Sequence, residues 1–240
     1  MTMVTLTTGE RLDDEGSPVP GTGFEYDSEG EVAKLLAQRI SPVLYSPSQG
    51  EWAWMVPDDS DGKFERIIAV CSTGNNGPIL HYHPTFDEHF KPASGSFVLK
   101  ADGEEVTLHA GQELMVKRGT MHTFRCIGED GDFGVMVADV IPPVGFVDMI
   151  KLMMGLAQEG KITSTGDPKL LQLMVSMRGW KSSLGNKLID LAVPKSPGKS
   201  VITILSSILA PLGRLLGYKV DYPHYYEDEF WEKRVNQPPN

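Results

Sequence analysis

"HYHPTFDEHF", residues 81 to 90, sets three histidines, an aspartate and a glutamate into ten positions of a chain that holds six histidines in all. His81 and His83 are two apart, so on a strand their side chains share one face while Leu80 and Tyr82 take the other. Two imidazoles turned toward an apolar interior need partners. An unpaired buried polar group costs about 1 to 3 kcal/mol, and one shared cation would satisfy both rings. Glu88 follows across "PTFD", a turn that can swing the chain back and bring a carboxylate to the same point. Further on, "HAGQELMVKRGTMHTF" offers His122 behind a strand and a Gly119 turn. The plainer alternative is a site without an ion, in which these rings and the acid hydrogen-bond to one another. Of the remaining histidines, His109 sits in a hairpin loop, His89 should face away from Glu88, and His224 lies in the tail.

Three imidazoles and a carboxylate form a nitrogen and oxygen donor set suited to Fe(II), Mn, Ni, Cu or Zn. Ca and Mg prefer shells of oxygen alone. Fe(II) is the first choice for this ligand type, because open coordination positions serve dioxygen or a substrate oxygen.

Outward from this stretch, residues 43 to 144 read as short β-type runs, among them "EWAWMV", "ERIIAVCS", "PILHYH", "SFVLKA", "EEVTLHA", "QELMVKRG", "MHTFRCI" and "DFGVMVADVI". Turn chemistry ("GNNG", "ADG", "HAG", "EDGD") divides them. The pattern predicts a mainly β fold, an antiparallel sandwich or small barrel. Residues 1 to 42 read as an arm, with a short β-branched run at Met3 to Thr8, followed by one helix over 28–40 capped by Ser28 and ended by Pro42. Residues 145 to 240 read as a helical extension. "FVDMIKLMMGLAQEG" places Phe146, Ile150, Met153 and Leu156 on one face, and "DPKLLQLMVSMRGW" predicts a second helix with an aspartate cap and a first-turn proline.

The formal charge of -10, from 32 acidic against 22 basic residues, repels phosphate backbones and excludes nucleic acid as a partner. Cys71 and Cys126 stand far apart without a CxxC pair, so reduced thiols are expected. The opening "MTMVTLTTGERLDDEG" lacks the basic and apolar regions of a secretory signal, which points to a cytoplasmic protein.

The spacing around the histidines resembles that of the cupin superfamily, in the single-domain, type-2-like form. His81-x-His83, four residues, Glu88, six residues and Gly95 follow that family's first motif, apart from its opening glycine. Gly111, Gly119 and His122 follow the second, with Lys117 where proline is usual and Cys126 where asparagine is usual. The resemblance spans roughly residues 60 to 142. It implies an antiparallel jelly-roll barrel with a C-terminal helical extension, one divalent transition metal on His81, His83, Glu88 and His122, and a homodimer, with the N-terminal arm as a candidate contact. Similar sites support dioxygenases, decarboxylases, isomerases, epimerases and plain ligand binding, so the fold does not decide the reaction.

Phe90, Met115, Phe124 and Met136 are candidates to line the pocket, and Lys117 is a candidate cation at its mouth, against ordinary core packing and a solvated turn. Tyr82, Lys91 and Arg125 should lie on the outer face. An apolar stretch from Val201 to Gly213, thirteen residues long, is too short for a bilayer span of about 20. With the aromatic tail to Trp231 it reads as a docked helix, against a lid or a peripheral membrane contact over 201–231.

The expected function is a metal-dependent oxygenase acting on a small, mostly apolar organic substrate of specialised metabolism. An isomerase or cyclase, with the metal as Lewis acid or with no metal, stands second. A small-molecule-binding barrel is the non-catalytic alternative.

Overall fold

Alternation along the strands decides how the layers form. On β4 (Glu51–Val56), Trp52, Trp54 and Val56 point to one face and Glu51 and Ala53 to the other, and β5 (Glu65–Ser72) divides Ile68 and Val70 from Ala69 and Cys71 in the same way. Both faces carry apolar residues, so both must be covered. The computed structural model describes residues 4–58, 62–75, 77–78, 80–163, 167–183 and 198–239, of which 177–183, 198–204 and 206 are described in backbone only.

Two antiparallel sheets form the barrel. The larger runs in the order β3 (Leu44–Ser46), β4, β5, β11 (Phe133–Ile141), β6 (Asp87–Ser94) and β9 (Leu114–Val116). The smaller places β7 (Ser96–Ala101) between β10 (His122–Ile127) and β8 (Glu104–His109). Between them lies a small core of Phe90, Phe97, Leu99, Leu108, Cys126 and Met136 with its neighbours. Mainly antiparallel β structure with helices toward the C-terminus agrees with the sequence expectation.

The outer face of the larger sheet is covered by both ends of the chain. Part of the segment expected to be an arm joins the core, through Phe24, Tyr26 and Leu36. Its strands β1 (Thr5–Thr8) and β2 (Phe24–Asp27) pair, and Phe24 stacks on Trp54 at 6.2 Å and meets Trp52 edge-on at 5.3 Å. The tail returns alongside, with the Gly9 amide donating to Asn236 O at 2.9 Å and the Leu12 amide to Arg234 O at 2.8 Å. Tyr225 and Trp231, both fully buried, pack here with a helix, α2 (Phe146–Gln158). Gly155 lets α2 approach so closely, since a β-carbon there would stand 2.4 Å from the Tyr225 ring. The aromatic tail is thus packed onto the barrel. In the neighbouring α3 (Leu170–Ser183) and α4 (Gly198–Leu215), Gly213 of α4 abuts Leu171 and Val175. On α4, Leu205, Ile208, Leu212 and Leu215 are exposed. No helix among the described residues is long and apolar enough to cross a membrane.

Several local expectations change. The N-terminal helix is shorter than the pattern predicts, α1 (Glu31–Ala37), and its N-cap is Gly30 without a side-chain cap, so Ser28 does not cap it. Asp167 and Pro168 precede α3, and Pro168 forms a bridge with Ile162. Among the described residues of "PILHYH", which leave out Ile79, none joins a named strand, and His81 bridges to His122. Sequence reading passed over the short β2 and β3 and also β6, whose Pro92 breaks its pattern. The register slips beside Pro92, where a residue without an N–H is tolerated.

Across the outer face of β5, β11 and β6, Asp139 takes two bonds from Arg66 (2.6 and 3.0 Å) and one from Lys91 (2.7 Å), with its own side chain 3% exposed. Burial alone would raise this carboxyl, but the Arg66 and Lys91 bonds and charges outweigh it and hold it below the usual carboxylate range. Replacing Asp139 with Ala leaves two cations facing each other and should lower unfolding free energy by about 2 kcal/mol, less than a fully buried pair because both partners reach solvent. A depressed folded pKa stabilises above the unfolded value of about 4 and is lost below it. The urea midpoints of the parent and Asp139→Asn should therefore differ most near neutral pH and converge in acid.

Candidate metal centre

Three separate pieces of backbone bring the four sequence-selected ligands together. The first is the irregular segment before β6, which is tied to the start of β10 by a reciprocal pair of bonds. The His81 amide donates to His122 O at 3.0 Å, and the His122 amide to His81 O at 2.7 Å. Gly77 permits this close crossing: its φ is 65°, and a β-carbon would lie 1.6 Å from Phe124 O. The second piece is the turn at Gly119, whose amide donates to His83 O at 2.8 Å. The third is β6, where Glu88 is the second residue and turns inward in step with Phe90.

One donor atom from each of His81, His83, Glu88 and His122 lies within 4.8 Å of the others. Two donors on opposite sides of an ion at about 2.1 Å need a separation of about 4.2 Å, so small side-chain adjustments close the set on one ion. His83, Glu88 and His122 are buried, at 2%, 5% and 3% exposure, while His81 stands at the more open side.

The polar accounting inside the cluster is uneven. His122 Nδ1 donates to Thr120 O at 2.9 Å and Nε2 faces Glu88 Oε2 at 2.7 Å; both are hydrogen bonds only when the ring carries both protons, a form that burial disfavours but that the Glu88 bond and charge favour more, raising the ring's pKa. His83 Nε2 lies 3.1 Å from the same oxygen but off the line that a hydrogen bond needs, and neither ring nitrogen of His83 has a hydrogen-bond partner. Packed on Phe86 at 4.2 Å and against Phe146 at 5.5 Å, the ring has nowhere else to turn. Burial works to raise the Glu88 carboxyl, yet the bond from His122 and the nearness of His83 outweigh it and hold it down to about 2. An anionic carboxylate beside a buried imidazole with two unpaired nitrogens fits a cation better than it fits a closed hydrogen-bond network. The donor set fits one divalent transition metal.

Beside the cluster opens a cavity of about 170 Å³. Phe90 and Phe124, two of the expected lining residues, do line it; Met115 and Met136 do not. Met136 is fully buried in the core between the sheets, one step deeper along β11 than the lining Ala138, and Met115 pairs with His89 on β9 at the sheet edge. Lys117 is not at the cavity either. Its exposed side chain pairs with Asp87 at 3.3 Å, beside Arg118. The other histidines stand apart from the metal cluster: His89 pairs with Glu113, His109 with Ser96 and His224 with Glu159. Lys91 is taken up by Asp139.

The roof of the cavity is α2, through Phe146, Met149, Ile150, Met153 and Met154, and not the 201–231 region. Glu65 at the start of β5 fixes that helix, accepting from the amides of Val144, Gly145 and Phe146 at 3.2, 2.8 and 2.8 Å, where a carboxylate also meets the positive end of the helix. Sequence reading had the apolar face of α2 but not what it covers. It also passed over Glu51, which lines the cavity from β4. Strict alternation with Trp52 and Trp54 was the available signal.

A jelly-roll of two antiparallel sheets with a three-histidine, one-carboxylate cluster at its open side defines the class. The chain resembles the cupin superfamily in its paired sheets and in its donor cluster. No protein-family model matches it. It is similar to quercetin 2,3-dioxygenase of Bacillus subtilis, 31% identical over 136 residues, which cover 56% of this chain and 38% of that protein. It is also similar to the tetracenomycin polyketide synthase protein TcmJ of Streptomyces glaucescens, 29% identical over 98 residues, covering 39% of this chain and 66% of that protein. The chain thus spans less than two thirds of the length of either relative. Among solved structures, an RmlC-like cupin from Shewanella frigidimarina matches at 16% identity with a TM-score of 0.38, over 45% of this chain and 89% of that one.

Protein purified without a metal-binding tag should carry about one transition-metal ion per chain by plasma mass spectrometry, and the His81→Ala/His83→Ala variant essentially none. A folded parent that stays metal-free after anaerobic reconstitution would remove the centre.

Proposed function

We propose that this chain is a metal-dependent cupin enzyme, an oxygenase acting on a small, mostly apolar organic molecule that carries at least one oxygen donor. The observation that carries the reading is the junction of the metal cluster with an apolar cavity roofed by α2. When bound, the metal would supply Lewis acidity and, as Fe(II), one-electron chemistry with dioxygen. The chain's own residues do the rest. Phe90 and Phe124 offer flat aromatic walls for a ring, Ile67 adds apolar surface, and the α2 side chains exclude bulk water above it. His122, held by Thr120 O, keeps Nε2 directed inward, and Glu88 remains ionised in the same space. Similarity to a quercetin 2,3-dioxygenase supports oxygenation of a hydroxylated aromatic compound as the first class to try.

One observation favours a second reading. Glu51 gives the cavity a carboxyl besides Glu88, which an isomerase or cyclase would use for proton movement with the metal acting only as Lewis acid.

Anaerobically Fe(II)-loaded protein, offered a panel of hydroxylated aromatic compounds in an oxygen electrode, should consume dioxygen in proportion to product, and chelation or loss of His81 and His83 should lower the rate at least about a hundredfold. Turnover without dioxygen uptake moves the assignment to the isomerase class, and absence of turnover from a metal-replete protein argues for a binding barrel.

A further inference from the structure

Glu51 opens β4 and is paired in register with Cys71 of β5. That places its side chain on the inner face of the sheet with Ala53 and Ala69, and it lines the same cavity as His81, His83 and Glu88. Among the described residues no side chain or backbone group hydrogen-bonds or ion-pairs with its carboxyl. Ion pairs and bonds engage the surrounding polar groups elsewhere: Gln49 with Ser46 and Gly77 O, and Ser72 with Gly50 O. A carboxyl facing a largely apolar cavity without a partner is costly unless something in the cavity meets it.

We propose that Glu51 is the second polar anchor of the cavity, a carboxyl that donates its hydrogen bond to a carbonyl or phenolic oxygen of a substrate whose other oxygen faces the metal cluster. The substrate class is then an apolar ring compound with two oxygens, one for Glu51 and one for the metal donors. This rests on the cavity being the substrate site, but not on any particular reaction.

The surroundings support a donating, uncharged form. Burial pushes Glu51 up to about 7, with no cation nearby to pull it back. The groups around it are the Cys71 thiol, itself raised well above its ordinary value by burial and by Glu51, and, lining the same cavity, His81, His83 and Glu88. The α2 residues opposite, Met149, Ile150 and Met153, carry no charge.

The test compares two probes of one shape, acetophenone and ethylbenzene, that differ in a carbonyl acceptor. Their dissociation constants are measured on the full chain by titration calorimetry below pH 7, without dioxygen, both metal-loaded and chelator-stripped. The parent should prefer acetophenone about fivefold, the worth of one net hydrogen bond. Glu51→Leu should bind both probes alike, Glu51→Gln should keep the preference through its amide N–H, and metal content should stay at the parent level in both. Infrared difference spectra give a second readout that does not depend on the Leu variant folding: the C=O stretch of a protonated carboxyl should be seen in the parent, shift on adding acetophenone, and be missing from Glu51→Gln. A preference that survives Glu51→Leu, one that disappears on chelation alone, a carboxyl band unmoved by the probe, or a parent that binds neither probe would each overturn the proposal. Since no turnover is measured, failure of the oxygenase reading leaves this result standing, and the reverse also holds.

Discussion

Two backbone hydrogen bonds between His81 and His122 hold this site together. Each histidine both donates to and accepts from the other, so the loop before β6 and the first residue of β10 are locked at one separation, and their imidazoles stand with ring centres 4.4 Å apart. The lock lies on irregular backbone, where no continuing ladder would enforce it. It depends on Gly77, which is needed for the crossing over β10, and on the Gly119 amide, which closes the turn onto His83. Side-chain ligands placed by backbone bonds in this way are arranged before any ion arrives, and the ordering cost is met by the fold.

The second organising constraint is that the larger sheet is apolar on both faces. Its inner face closes on the smaller sheet and leaves the cavity; its outer face takes β2, the tail and part of α2. Because α2 contributes to both, it couples the outer core to the space above the metal cluster. Glu65 fixes its N-terminus, and Lys151 ties its middle to Tyr226 O and Asp228, both at 3.0 Å. Such a roof excludes water from the site at the same time as it completes the core, so changes in the C-terminal packing reach the cavity through one helix.

Charge is distributed to match. Asp139, Asp87 and Glu65 each serve cations or amides outside the cavity, whereas Glu88 and Glu51 face into it with opposite tendencies. Glu88, among imidazoles, is held ionised; Glu51, among apolar side chains, tends to keep its proton. Two carboxyls in one space, driven apart by their surroundings, can serve as ligand and as hydrogen-bond donor at the same pH.

Much of this was legible in the chain itself. The ligand set, His81, His83, Glu88 and His122, could be read from residue type and the spacing of two motifs, although His81 and His83 lie on irregular backbone and not on the strand expected for them, and the strands from β4 to β11 could be read from alternation and turn residues, except for β6 with its proline. What could not be read were relations between distant segments. Ser28 looked like a cap, Met136 looked like lining, and residues 1 to 42 looked like an arm, because local pattern cannot say which of two apolar faces meets a cavity and which meets another segment. By itself the sequence determined the fold class, through alternation and turn residues, and singled out the four candidate donors, through residue type and motif spacing. Only the tertiary structure decided that α2 is the roof, that both chain ends complete the core and that Glu51 shares the cavity, since burial depends on contacts between segments as far apart in the chain as Gly9 and Asn236.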